Sequence, residues 1–72
     1  MMVEFKKISE EGSIKFYEFN GIFNGVFTID SKDNKINFVR AAEDQEYNSF
    51  ISFVAKKYLA DKFPDSYLYA AG

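Results

Sequence analysis

Phe19-Asn20-Gly21-Ile22-Phe23-Asn24-Gly25-Val26-Phe27-Thr28-Ile29-Asp30 is the stretch that decides the fold. An Asn-Gly pair is the strongest short-range signal for a tight hairpin turn, because both residues tolerate positive φ. Two such pairs occur here, with only Ile22-Phe23 between them. They cannot both be tight turns, so one is a turn and the other a bulge. Asn24-Gly25 is the better turn. It leaves Val26-Phe27-Thr28-Ile29-Asp30 matched in length to Ile36-Asn37-Phe38-Val39-Arg40, with Ser31-Lys32-Asp33-Asn34-Lys35 as the loop between them.

On the N-terminal side, Val3-Glu4-Phe5-Lys6-Lys7-Ile8 alternates in part and sets Val3 and Phe5 on one face. Ser9-Glu10-Glu11-Gly12-Ser13 is a turn cluster. Ile14-Lys15-Phe16-Tyr17-Glu18-Phe19 then puts Ile14 and Phe16 on one side, Tyr17 and Phe19 on the other. On the C-terminal side the period changes. From Asp44 the apolar residues fall at Tyr47, Phe50, Ile51, Val54 and Tyr58, which makes one helical stripe. Glu43, Asp44 and Glu46 sit at its start and Lys56, Lys57 and Lys62 near its end, as the helix dipole favours. Pro64 stops the helix, because the residue before a proline avoids helical geometry. The tail, 64–72, reads equally as a short strand, a last turn or an ordered arm.

The expected fold class is α+β, a three- to four-stranded antiparallel sheet within 3–40 followed by one C-terminal α-helix, about 43–62, packed on one face. The whole of 1–72 reads as a single small domain. Val3, Phe5, Ile14, Phe16, Phe27, Ile29, Ile36 and Phe38 are the expected core, meeting the helix stripe.

Composition narrows the chemistry. The 72 residues contain no Cys, His or Trp. That removes thiolate metal sites, a Cys nucleophile, the commonest general base and the commonest metal ligand. Six serines are present, but no His activates them, and a Ser52–Lys56 pair would need a buried lysine where the helix stripe predicts a polar face. Asp30-Ser31-Lys32-Asp33-Asn34 lacks the acidic spacing and the glycine of a calcium loop and reads as a polar turn. Gly21 and Gly25 fit neither a P-loop nor a dinucleotide fingerprint. Glu43, Asp44 and Glu46 would be the acids of an enzyme with its site at a dimer interface, but the reading expects no enzyme, no cofactor and no metal. The net charge of −2 gives no strong attraction to nucleic acid or anionic membrane. No apolar run reaches the roughly 20 residues of a membrane span, and Met1-Met2-Val3-Glu4-Phe5-Lys6-Lys7 lacks the apolar stretch of a secretory signal. The expected location is the cytoplasm.

Rings are in surplus. Nine Phe and five Tyr occur in a chain of a size that buries only about 60% of its unfolded surface. Some of them must stay outside, where such surface meets a partner or a second copy, the alternative being scattered half-exposed rings with no role. On a helical wheel with Tyr47 at zero and steps of ~100°, Phe53 falls near roughly 240°, among Glu46, Ser49, Lys56 and Lys57. A ring with a charged rim has the make-up of a binding hot spot. Phe53, Lys56 and Lys57 are therefore the first partner-binding candidates. The outer sheet face, with Tyr17 and Phe19 beside Val26 and Val39, is the second, and the tail with Tyr67 and Tyr69 the third. The edges of a half-covered sheet can also pair with a second copy.

The composition is similar to that of small, Cys-free, Asn/Lys/Phe/Tyr-rich proteins carried by phages and other mobile elements, anti-CRISPR proteins among them. The likeness rests on composition, covers no motif and assigns no site. It implies a non-enzymatic protein-binding module that docks on a larger protein or ribonucleoprotein complex, such as a host defence complex, and inhibits it sterically in the host cytoplasm. A homodimer is compatible with this. The alternative reading is a homo-oligomeric nucleic-acid-binding regulator in which two modest basic patches combine.

Overall fold

The computed structural model describes residues 1–71; Gly72, the last residue of the tail read above, lies outside them. Five strands and one helix follow in the order β1 (Met2–Glu11), β2 (Ile14–Asn20), β3 (Asn24–Asp30), β4 (Ile36–Arg40), α1 (Gln45–Val54) and β5 (Ser66–Ala70). They form one antiparallel sheet in the order β4-β3-β2-β1-β5, so the fold is α+β. The expected three to four strands become five because the tail forms β5, which pairs with β1. Tyr67 lies opposite Phe5 and Tyr69 opposite Val3. The two ends then close reciprocally. The Met1 ammonium donates to the Ala71 carbonyl at 2.7 Å, and the Ala71 N–H donates to the Met1 carbonyl at 2.9 Å.

Gly12, at φ 59°, makes the tight turn between β1 and β2. The Asn-Gly pairs act otherwise than the sequence predicts. Asn20 lies opposite Asn24, so Gly21-Ile22-Phe23 is the loop and Gly25 is inside β3, opposite Phe19. Neither Gly21 nor Gly25 has positive φ. Both are present for want of space. A Cβ on Gly25 would collide with the Phe19 ring and the Arg40 carbonyl, and one on Gly21 with the Tyr47 hydroxyl.

The helix covers one face of the sheet. Val3, Phe5, Tyr17, Phe19, Phe27 and Ile29 meet Tyr47, Ile51, Val54, Ala55 and Leu59 there. Phe27 is central, with ring centroids about 6 Å from Phe5, Tyr17, Phe19 and Phe38. Of the expected core, Ile14 and Phe16 belong to the other face. Residues directly opposite in a ladder share a face. Phe5 faces Phe19 and Lys7 faces Tyr17, so the Val3–Phe5 face selects Tyr17 and Phe19. A buried tyrosine needs a hydrogen-bond partner, and Tyr17 Oη donates to the Pro64 carbonyl at 2.6 Å. Ile36 and Phe38 face the helix and are half-buried.

Asp44 is the helix N-cap, its carboxylate accepting from the Tyr47 N–H at 3.1 Å. The helix ends earlier than 62. After Val54 it widens into a π-helical turn, Ala55–Leu59, closed by the Ala60 N–H on the Ala55 carbonyl at 3.0 Å. A π-turn inserts one residue into the helical repeat. The buried stripe therefore runs on to Leu59, and Tyr58, expected in the stripe, turns outward. Phe63 follows in the left-handed region at φ 47°, and its N–H donates to the Leu59 carbonyl at 2.8 Å. This connector is pinned to β1. The Lys7 N–H donates to the Asp65 carbonyl at 2.8 Å, and Lys7 Nζ lies 3.3 Å from both the Asp65 and Glu10 carboxylates.

Candidate functional site

Of the fourteen rings, five are buried, seven are half-buried and two, Phe53 and Tyr58, are exposed. The two exposed rings sit together. Phe53 is on the last turn of α1 and Tyr58 on the π-turn that follows. Lys57 bridges them, its ammonium 5.6 Å from the Phe53 centroid and 5.5 Å from the Tyr58 centroid, within cation–π range.

From Tyr58 the rings continue across β5. Tyr58 stacks on Tyr67 at 5.5 Å and 15°, and lies 5.8 Å from Tyr69. Tyr69 meets Phe50 edge-on at 5.5 Å, and Phe50 leads to Tyr47 in the core. Alternation along β5 explains why Tyr67 and Tyr69 both point to the helix while Leu68 points away. The result is a flank of rings whose outer members are solvated and whose inner members are fixed by packing.

Charge at this flank is positive and unspent. Among the described residues the ion pairs involve only Lys7 and Lys15, so Lys56 and Lys57 have no carboxylate within 4 Å. Both are exposed. They stand in the closing turn, where a cation complements the helix dipole.

Of the candidates drawn from sequence, Phe53, Lys57, Tyr67 and Tyr69 are therefore neighbours, with Lys56 on the same turn. Tyr17 and Phe19 are elsewhere. Both are wholly buried under the helix, so the outer-face surface built on them does not exist in that form. Burial pushes the Tyr17 phenol up to about 12, with the Asp65 and Glu10 carboxylates adding to it. Sequence reading missed Tyr58 and Phe50. Both fall on the apolar stripe, and only the π-turn and the docking of β5 turn their rings toward the flank.

On the other side of the helix the surface is of mixed polarity. An open groove of about 400 Å³ is lined by Phe38, Ala41, Gln45, Asn48, Ser49 and Ser52. Asn48 is its buried wall, and its amide is fully used. Oδ1 accepts from the Ala42 N–H at 2.8 Å, and Nδ2 donates to the Ala42 carbonyl at 2.9 Å and to Gln45 at 3.0 Å. Tyr47 Oη is the one buried side-chain polar atom without a hydrogen bond among the described residues. It lies against Gly21. Burial raises its pKa, and the backbone amides of Phe23 and Ile22 partly oppose this.

Asp44, one of the acids considered for catalysis, is occupied in capping the helix. Asp30 and Asp33 make side-chain turns, accepting from the N–H groups of Lys32 and Lys35 at 2.9 Å. The bond from Lys32, with a second from Ser13, holds the Asp30 carboxyl below its ordinary range. Among the described residues no helix is long and apolar enough to cross a membrane. The chain matches no protein-family model, no curated protein and no solved structure.

Proposed function

We propose that this protein is a non-enzymatic protein-binding module whose recognition surface is the flank formed by Phe53, Lys56, Lys57, Tyr58, Tyr67 and Tyr69. The observation that carries the reading is the Phe53–Lys57–Tyr58 cluster, two exposed rings joined by a cation and backed by stacked tyrosines. Half-fixed rings lose little side-chain entropy on contact, and tyrosine combines apolar area with a polar tip. Two unpaired lysines favour a partner with an acidic rim and set its orientation.

The mechanism is steric. A domain 33 Å in its longest dimension, seated on a larger protein or ribonucleoprotein, blocks what that surface would otherwise receive. Together with the composition noted above, this suits a small phage or mobile-element inhibitor of a host defence complex, of the anti-CRISPR kind.

The test is capture from host lysate by the immobilised protein, with Phe53→Ala/Lys57→Glu compared against Ser49→Ala on the opposite flank. A protein retained by wild type and Ser49→Ala but lost by the double variant supports the reading. Equal capture by all three overturns the assigned surface. Rings beside lysines also stack single-stranded bases. A salt titration with DNA and RNA separates that reading, since base stacking with phosphate contacts requires binding at low salt.

A further inference from the structure

The open face of the sheet carries a second, independent surface. Among the described residues eight large apolar side chains are exposed, and four of them, Met2, Ile8, Val39 and Leu68, point from this face. Phe16 and Val26 lie half-buried between them. Among the described residues no element covers the face. Lys6 stands opposite Glu18 on the neighbouring strand, yet has no carboxylate within 4 Å among the described residues, and the Glu18 carboxylate, which accepts from the Asn20 amide at 3.3 Å, forms no ion pair.

From this register we infer that the open face is the interface of a symmetric dimer, two copies stacking sheet on sheet about a two-fold axis that runs along the strands between β1 and β2. Rotation about that axis lays β1 of one copy over β2 of the other without changing the level along the strand. Lys6 and Glu18 are at one level, so each Lys6 meets the partner copy's Glu18, twice per dimer. Ile8, at the bulge beside Ser9, and Phe16 are at another, so each Ile8 meets a Phe16. Glu4 meets Asn20 in the same way. Moving the axis onto β2 would set Glu18 against its own copy, and moving it onto β1 would do the same to Lys6 and Glu4. Like charges facing each other oppose both arrangements. The molecule's two longer dimensions are 33 and 22 Å. In the strand order β4-β3-β2-β1-β5 this axis lays β5 over β3 and leaves β4 outside the contact, so four of the five strands offer on the order of 600 Å², the lower end of the range per partner of a standard interface. Sheets stacked face to face sit ~10 Å apart, a gap that a lysine and a glutamate side chain span together.

The experiment is sedimentation of the untagged protein from about 1 μM to about 500 μM, a span that registers dissociation constants from micromolar to submillimolar. Wild type is expected to show a concentration-dependent dimer. Lys6→Glu places Glu against Glu18, and Glu18→Lys places Lys against Lys6. Each alone should weaken association roughly ten-fold or more. Mixed in equal amounts the two variants are complementary at both pairs, so the mixture should recover the dimer to within a few-fold of wild type. Ile8→Lys, at an exposed position, should also weaken it and serves if a charge variant fails to fold. A wild type that stays monomeric throughout overturns the inference. So does a mixture as weak as its components, an Ile8→Lys protein that dimerises normally, or a dimer lost in Phe53→Ala. None of these outcomes bears on capture through the aromatic flank, which uses other residues.

Discussion

The two flanks of the helix are built from different materials. Toward β5 the space between helix and sheet is filled with rings, and the filling continues to the surface as Tyr58 and Phe53. Toward β4 stands one buried amide, Asn48, two of whose three hydrogen bonds tie the helix to Ala42 in the chain entering it, and an open groove of mixed polarity remains outside. At the ring flank the outer contacts are already partly solvated, whereas each hydrogen bond lost at Asn48 leaves a buried polar group unpaired. The exposed rings thereby lie on one flank and the hydrogen bonds that fix the helix on the other.

The largest expected effect lies beneath both flanks. Phe27→Ala removes the ring that touches four others and should cost about 3–5 kcal/mol, enough to unfold a domain of this size in a urea titration. Asn48→Ala tests the amide flank and should cost about 1–3 kcal/mol, because the Ala42 N–H and carbonyl lose their partner. Tyr58→Ala tests the ring flank, with a loss of about 1 kcal/mol from two ring contacts of which one side is already wet. If Tyr58→Ala proves costlier than Asn48→Ala, the contrast between the flanks is wrong.

Tyr17 links the ring side to the connector and gives a signature in alkali. Its phenol sits at about 12 in the folded state against about 10 when unfolded. Folding favours the protonated form. This contribution is whole below about pH 10 and is lost as pH rises through about 12. The urea midpoint should fall over that window, and Tyr17→Phe should flatten the fall. The smallest effect is at Phe53. Phe53→Ala should leave stability within about 0.5 kcal/mol while abolishing capture of the partner.

The antiparallel sheet and the following helix were legible because the apolar period changes from two to about 3.6 near Asp44. Phe53 was legible by its angle on the wheel. The phase of β2 was not, since each of its faces carries one charge, Lys15 or Glu18, and the two faces tie. Pairing with β1 breaks the tie. The Asn-Gly pairs misled because glycine marks two needs, positive φ and missing volume, and sequence does not separate them. Here Phe19 and Tyr47 press where a Cβ would stand. β5 was hidden because Ser66-Tyr67-Leu68-Tyr69-Ala70 shows weak alternation of polarity, its outward Leu68 being as apolar as its inward tyrosines. Tyr58 was misplaced for one reason, the extra residue in the turn Ala55–Leu59, and no propensity rule signals that.

That wide turn gives the protein an unusual evolutionary lever. Deleting a single residue between Ala55 and Leu59 would restore ordinary spacing and advance every later side chain by one place around the axis. The side chains displayed to the outside would be re-dealt by a change in length, with no substitution at any contact position. The loss of one codon would thus change which side chains this turn displays.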